Sequence, residues 1–185
     1  KEITNGNVEI CRSLADALMA YQADHGKIHP EVLRAMNFDN RLKPSFEKAK
    51  EKQLIAAFDG QTPVGYIFST AAWETEASKA ERPDWARGLS GVNETGFYPA
   101  LFPMPQKIGC LNNLYVLPEY RGRHIAYTLC SQAMEWFRET AGVQTVFVYI
   151  SNGNTSVVSL YRNLGFRYSH DAFGGFITAY SMKLS

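Results

Sequence analysis

Two short stretches carry residues whose types and spacing suit chemistry. The first runs Val116-Leu117-Pro118-Glu119-Tyr120-Arg121-Gly122-Arg123-His124-Ile125-Ala126, and the second runs from Asn154 to Phe166. In the first, Gly122 lies between two arginines, after a strand-like run and at the start of a helix-like one. Free backbone N–H groups at a helix start, with the positive end of the helix dipole behind them, bind pyrophosphate well. Gly122 lets the backbone approach closely, and Arg121 and Arg123 add charge beside the phosphates. Neither GxxxxGK[ST] nor GxGxxG is present, so this is neither a Walker loop nor a Rossmann fingerprint. By itself the turn also fits a basic cap on a surface helix.

In the second stretch Asn154 can cap a helix, and Tyr161 falls about two turns in, on the face of Val157 and Leu164. A phenol of ordinary pKa about 10 can give a proton to a leaving thiolate whose parent thiol is near 8.5. A lone tyrosine would equally fit an apolar core with a satisfied hydroxyl. The order strand, turn, helix, strand, tyrosine-bearing helix suits a nucleotide-linked thioester donor, which makes acyl transfer from an acyl-coenzyme A the leading reading.

The elements that position these stretches follow from periodicity. Val8 to Asp24 carries Ile10, Leu14, Leu18 and Tyr21 at helical spacing, with Asn5 or Asn7 as cap. His29 to Met36 reads as a short helix with Pro30 in its first turn. Ser45 to Lys52 continues helical, and its charged run from Lys48 to Lys52 reads as a solvated face. Leu54 to Phe58 and Val64 to Thr70 flank an Asp59-Gly60 turn and predict a β-hairpin. Ile108 to Val116 is the next strand. A helix runs from Arg123 or His124 to Thr140 and ends at Gly142. Gln144 to Ile150 reads as a buried central strand, the tyrosine helix stops at Gly165, and Phe173 to Leu184 reads as a closing hairpin around Gly174 and Gly175. These elements predict an α/β sandwich around a mixed sheet.

At 185 residues with 45% hydrophobic content, a single domain spanning 1–185 with a real core is expected. A net charge of +1, from 19 basic and 18 acidic residues, leaves no electrostatic footprint for nucleic acid. Cys11, Cys110 and Cys130 lack disulfide or zinc spacing and read as buried, inert thiols. No run approaches the ~20 apolar residues of a membrane span. The N-terminus shows no basic start followed by an apolar run. A cytoplasmic protein without a membrane partner is expected.

The region from about Ile108 to Leu184 resembles the GNAT N-acetyltransferase superfamily. Arg121 to Ala126 is similar to its [RQ]-x-x-G-x-[GA] signature, and Asn154 to Phe166 to its N-x-x-A-x-x-x-Y-x-x-x-G-F motif. Residues 1 to 70 are compatible with the family's first helices and hairpin but hold no specific motif. The resemblance implies a mixed, mostly antiparallel central sheet flanked by helices and acetyl-CoA as co-substrate, with no metal. It implies backbone hydrogen bonds from Leu114, Tyr115 and Val116 of a splayed strand to the pantetheine arm. Arg121, Gly122, Arg123, His124, Ile125, Ala126 and Tyr127 would surround the pyrophosphate, and Asn154 would touch the coenzyme. Tyr161 would protonate the departing thiolate after direct attack by an amine, with the carbonyl polarised by a strand N–H near Val116. The acceptor would be a small-molecule or peptide amine, and homodimers are common in the family.

Two positions depart from the pattern. His124 stands where glycine is usual, a Cβ being tolerable there if the backbone is already helical; its ring reaches a phosphate or substrate, or faces solvent. Asn112 or Asn113 stands where the family often has a carboxylate, and an asparagine cannot take the amine's proton. Asn112 is then a candidate catalytic residue through hydrogen bonding, Asn113 a candidate substrate ligand, and both also fit structural amides. The proton would leave through water or to a carboxylate such as Glu74, Glu76, Glu94 or Asp171, or to His170. The aromatic-rich excursion at about 71–106 is longer than an ordinary connection and reads as a packed insertion. Trp73, Trp85, Phe97 and Tyr98 would line an acceptor pocket or pin the insertion down. Two other readings stay open: a non-catalytic acyl-CoA sensor, and a phosphate-binding α/β protein unrelated to coenzyme A.

Overall fold

The computed structural model describes residues 1–4, 7–89 and 95–184. The predicted first helix divides into a 3-10 segment, Asn7–Cys11, and α1, Arg12–His25. No side chain caps α1; Asn7 lies inside the 3-10 turn, and Asn5 lies outside the described residues. α2 (Pro30–Arg34) begins at its proline as expected. A π-helical segment, Phe38–Leu42, leads into α3 (Lys43–Lys48). α3 ends before the predicted Lys52, because Glu51 and Lys52 already pair with Ala71 and Thr70 in the sheet.

β1 (Glu51–Asp59) and β2 (Thr62–Glu74) form the predicted hairpin, longer at both ends. The first part of the expected excursion is therefore strand, and the remainder holds two 3-10 turns, Glu76–Ala80 and Asp84–Ala86. β3 (Gln106–Val116), α4 (Ile125–Glu139), β4 (Val143–Ser151) and α5 (Val158–Asn163) follow in the predicted order. The closing hairpin is shifted from expectation: β5 is Arg167–Ala172, residues 173–176 turn, and β6 is Ile177–Lys183. β5 escaped the sequence reading because its Ser169-His170-Asp171 centre offers no apolar run.

The six strands lie in the order β1-β2-β3-β4-β6-β5. β3 and β4 run parallel; every other neighbouring pair is antiparallel. The expected mixed, mostly antiparallel sheet is thus present. Its two faces bury alternate side chains, as a period of two requires. Leu54, Tyr66 and Phe68 pack under Leu14, Leu18, Phe38 and Phe46 on one face. Ile55, Ile67 and Leu111 pack under Leu129, Met134 and Phe137 of α4 on the other. α4 sits close to the sheet because Gly109 has no side chain: a Cβ there would stand 2.6 Å from the Phe137 ring. Among the described residues no helix is long and apolar enough to cross a membrane.

Candidate active site

The site begins where two parallel strands part. β3 and β4 pair from Lys107 against Val143, with one register shift, to Leu111 against Val148; no pairing follows among the described residues, although both strands continue. The cause lies in β3. Phe68 stands opposite Asn113 and Ser69 opposite Leu111, so Asn112 is an extra, bulged residue. Such a bulge bends a strand and re-aims its side chains. The Asn112 amide donates to Thr70 Oγ1 at 2.8 Å and to the Cys110 carbonyl at 3.2 Å, which fixes the bend.

Beyond the bulge, backbone groups face the opening. The Leu117 N–H donates to the Val64 carbonyl at 2.9 Å. By the alternation of an antiparallel ladder, the N–H and C=O of Tyr115 then point to β2, and those of Leu114 and Val116 point to the gap. Of the three residues expected to offer backbone bonds there, Tyr115 contributes its ring instead. Arg121 Nε donates to the Val116 carbonyl at 3.0 Å, and its guanidinium lies 5.3 Å from the Tyr21 ring and 5.5 Å from the Tyr115 ring.

The turn after β3 leads to the N-terminus of α4. Gly122 has φ +76 and nothing within 4 Å of where a Cβ would stand, so this backbone lies open to a ligand. Arg123 is held against the Tyr120 ring and the Glu119 carbonyl. His124 is exposed and left-handed, at φ 61 and ψ 9, not helical as the sequence reading allowed. It therefore adopts the glycine-like conformation itself, at a cost of about 1–2 kcal/mol. Ile125, Ala126 and Tyr127 open the helix, where N–H groups have no intrahelical acceptor. Tyr127 is half exposed beside them.

A cleft of about 250 Å³ runs from this turn between the strands, walled by Leu18, Tyr21, Leu114, Val116, Ala126, Asn154 and Val157. Asn154 does not cap the following helix; its Oδ1 accepts from Ser156 Oγ at 3.3 Å, and the residue faces the cleft. Deeper in, a gap bounded by Leu111, Leu114, Ile150, Asn154, Val157 and Tyr161 occupies the point of the V. Tyr161 is 4% exposed and stacks edge-on to Phe166. Burial, with the Cys130 and Cys110 sulfurs nearby, holds its phenol well above the ordinary value of 10, so it is protonated at neutral pH.

On the far side of β3 a cavity of about 290 Å³ meets the gap at Gln22, Asn112, Asn113 and Tyr149. Its walls include Trp85, Phe97 and Tyr98 of the excursion, which also pack on one another and on Phe147, Phe173 and Phe176. These aromatics both pin the insertion and line a cavity. Trp73 is 67% exposed and stands outside the cavity, because it lies on the other face of β2 from Glu74, which does line it. Burial, then the Glu74 carboxylate, pushes the Cys110 thiol up to about 12; it is an inert wall.

Among the described acids and bases named from sequence, Glu74 alone is brought to this cavity. Glu76 pairs with Lys79 at the surface, and Asp171 accepts from Thr178 at 3.0 Å on the outer strand. His170 sits between the Gly96 carbonyl and Ser169 Oγ, each at 3.0 Å, with burial lowering its pKa. It ties down the excursion and lines neither concavity. Glu94 lies outside the described residues. Sequence reasoning missed Arg41 and Glu81 as cavity residues. A signal existed for Arg41, a charge set between Phe38 and Leu42, both fully buried. Among the described residues no cluster of three His, Cys, Asp or Glu side chains could hold a metal ion.

Solved structures share this fold. The N-acetyltransferase PaiA from Thermoplasma acidophilum, in complex with coenzyme A, aligns over 100% of this chain and 98% of its own, with a TM-score of 0.63 and 15% identity. A ribosomal-protein-alanine N-acetyltransferase from Brucella melitensis aligns over 100% and 98%, with a TM-score of 0.59 and 18% identity. NAA60 from Arabidopsis thaliana, in complex with acetyl-CoA, aligns over 100% and 96%, with a TM-score of 0.56 and 14% identity. At such identities the likeness is one of fold. No curated protein sequence matches this chain. The model of the acetyltransferase (GNAT) family matches residues 14–166, so the chain, an acetyltransferase by descent, belongs to the acetyltransferase (GNAT) family.

Proposed function

We propose that the protein transfers an acetyl group from acetyl-CoA to the primary amine of a small molecule or peptide by direct attack, without a covalent enzyme intermediate. The observation that carries this reading is the continuity of three concavities. The cleft shares Leu114, Asn154 and Val157 with the gap, and the gap shares Asn112, Asn113 and Tyr149 with the cavity. A long donor can enter from one face and an acceptor from the other, meeting at the bulge.

The residues then divide the work. The N–H groups from Gly122 to Tyr127, with Arg121 and Arg123, hold the pyrophosphate. Leu114 and Val116 offer backbone groups to the pantetheine arm and an N–H to the thioester carbonyl, where negative charge develops. The amine nitrogen bonds to the carbonyl carbon as the carbon–sulfur bond breaks. Tyr161 donates a hydrogen bond to the departing thiolate, whose own basicity rises in the same desolvated gap. Asn112 Oδ1 accepts no bond among the described residues and can orient the amine. Glu74 and Glu81 are the carboxylates on the cavity able to take the amine's proton, directly or through water.

Calorimetric titration with acetyl-CoA, with ATP and NAD as controls, tests the donor half; an acetyl-transfer screen over amines tests the rest. Selective binding of acetyl-CoA followed by transfer is expected. Binding with no transfer to any amine would favour a sensor, and preference for ATP or NAD would remove the donor assignment.

A further inference from the structure

The proposed acceptor cavity holds a cation that has no counter-ion among the described residues. Arg41 lines it. Among the described residues the guanidinium makes no hydrogen bond and no ion pair, and its Nε is buried with no partner. Glu74 and Glu81 border the same cavity, yet neither reaches Arg41: the described groups that bear on its charge are Cys110 and Tyr66, both neutral. Trp85 offers only a ring face, 5.6 Å from the guanidinium. Arg41 is half-buried, and only its Nε is sealed from solvent; a sealed donor with no acceptor is unfavourable unless something completes it.

The backbone beneath Arg41 is built to keep it there. It rides on the π-helical segment Phe38–Leu42, a geometry that recurs at functional sites. Asn37 and Asn40 cap that segment reciprocally, at 3.1 and 2.7 Å, and Asp16 accepts the Phe38 N–H at 2.7 Å. Phe38 and Leu42 anchor its two ends in the core. These contacts fix the backbone from which the Arg41 side chain enters the cavity.

We propose that Arg41 is an anion subsite, and that the acceptor is a small amine bearing a carboxylate, of amino-acid type with an apolar side chain. The fork of an arginine matches a carboxylate in bidentate fashion. Met19, Leu33, Trp85 and Phe97 would receive the apolar side chain, and Asn112 and Asn113 stand where the amine meets the gap. A volume of about 290 Å³ suits a ligand of that size. This inference rests on the proposed acetyl transfer only for the identity of the amine as the reacting group; the anion subsite itself is a binding claim.

Calorimetry is the test, on the full chain with coenzyme A present and absent. The probes are L-phenylalanine, L-leucine and L-methionine, their N-acetyl products, and the carboxamides of both sets. The acids should bind at least about tenfold more tightly than the amides. Arg41→Gln should abolish that preference while leaving acetyl-CoA affinity unchanged, and Arg41→Lys, which keeps charge but loses the fork, should restore part of it. Equal binding of acids and amides, or binding of neither while acetyl-CoA binds normally, would overturn the anion subsite and leave the donor reading standing. Retention of the acids through Arg41 without any acetyl-CoA binding would support the subsite and remove the donor reading instead.

Discussion

The donor side and the acceptor side of β3 are built by opposite means. On the proposed donor side, backbone would do the recognising: the parted strands, the turn at Gly122 and the start of α4 are local features of one continuous stretch. On the proposed acceptor side, side chains would do it: Arg41, Glu74, Tyr98 and Asn113 come from four separate segments that meet only in the fold. A backbone site tolerates changes of side chain but needs particular conformations. A side-chain site tolerates small backbone adjustments but depends on the identity of each group. The first leaves a motif in the sequence and the second does not.

Substitutions can break this contrast or sharpen it. The largest effect is expected at Tyr161, whose hydroxyl meets the departing thiolate in the proposed reaction. Tyr161→Phe should lower kcat by about 10²- to 10³-fold while changing acetyl-CoA affinity less than about twofold, read by steady-state kinetics and calorimetry. An unchanged rate would remove the phenol from the chemistry and leave Tyr161 as core.

Gly122→Val tests whether donor binding lives in the backbone. A β-branched residue at φ +76 costs about 1–2 kcal/mol or moves the turn. Acetyl-CoA affinity should fall at least about tenfold, with amino-acid binding at Arg41 untouched. Equal losses on both sides would mean that the two sites are not independently built.

His124→Gly probes the same turn in the other direction. Relief of the left-handed strain outweighs the added freedom of glycine in the unfolded chain. The thermal midpoint should rise by about 1–3 °C, with acetyl-CoA affinity unchanged or slightly improved. A lower affinity would show that the imidazole itself touches the donor.

The smallest effect concerns the anchoring of the excursion by His170. Burial lowers the His170 pKa below its ordinary 6.5, so the unfolded chain takes up the proton first. The stability that neutral His170 contributes is complete above about pH 6.5 and is lost as pH falls through the lower folded value. His170→Gln, which keeps a donor for the Gly96 carbonyl, should flatten the decline of the thermal midpoint between about pH 7 and 5. An identical decline in the variant would show that the excursion is held by its aromatic packing alone.

Much of the fold was legible because its signals are local. Periodicity gave α1, the first hairpin, β3, α4 and β4, and the order of strand, turn and helix pointed to the stretch that borders the proposed donor cleft. The misses have local causes too. β5 has a polar centre, α3 yields to a strand whose partner lies about twenty residues on, and His124 takes a conformation that its side chain disfavours.

The amino-acid sequence by itself determined the family, the sheet and the stretch proposed to bind the donor, since each depends on residues near one another in the chain. Only the tertiary structure decided which side chains share the acceptor cavity. It set His170, Asp171 and Trp73 aside and brought in Arg41 and Glu81. The physical reason is that burial and charge pairing belong to the assembled molecule: whether Arg41 has a partner depends on what α1, β2, β3 and the excursion place around it, and none of those lies beside it in sequence.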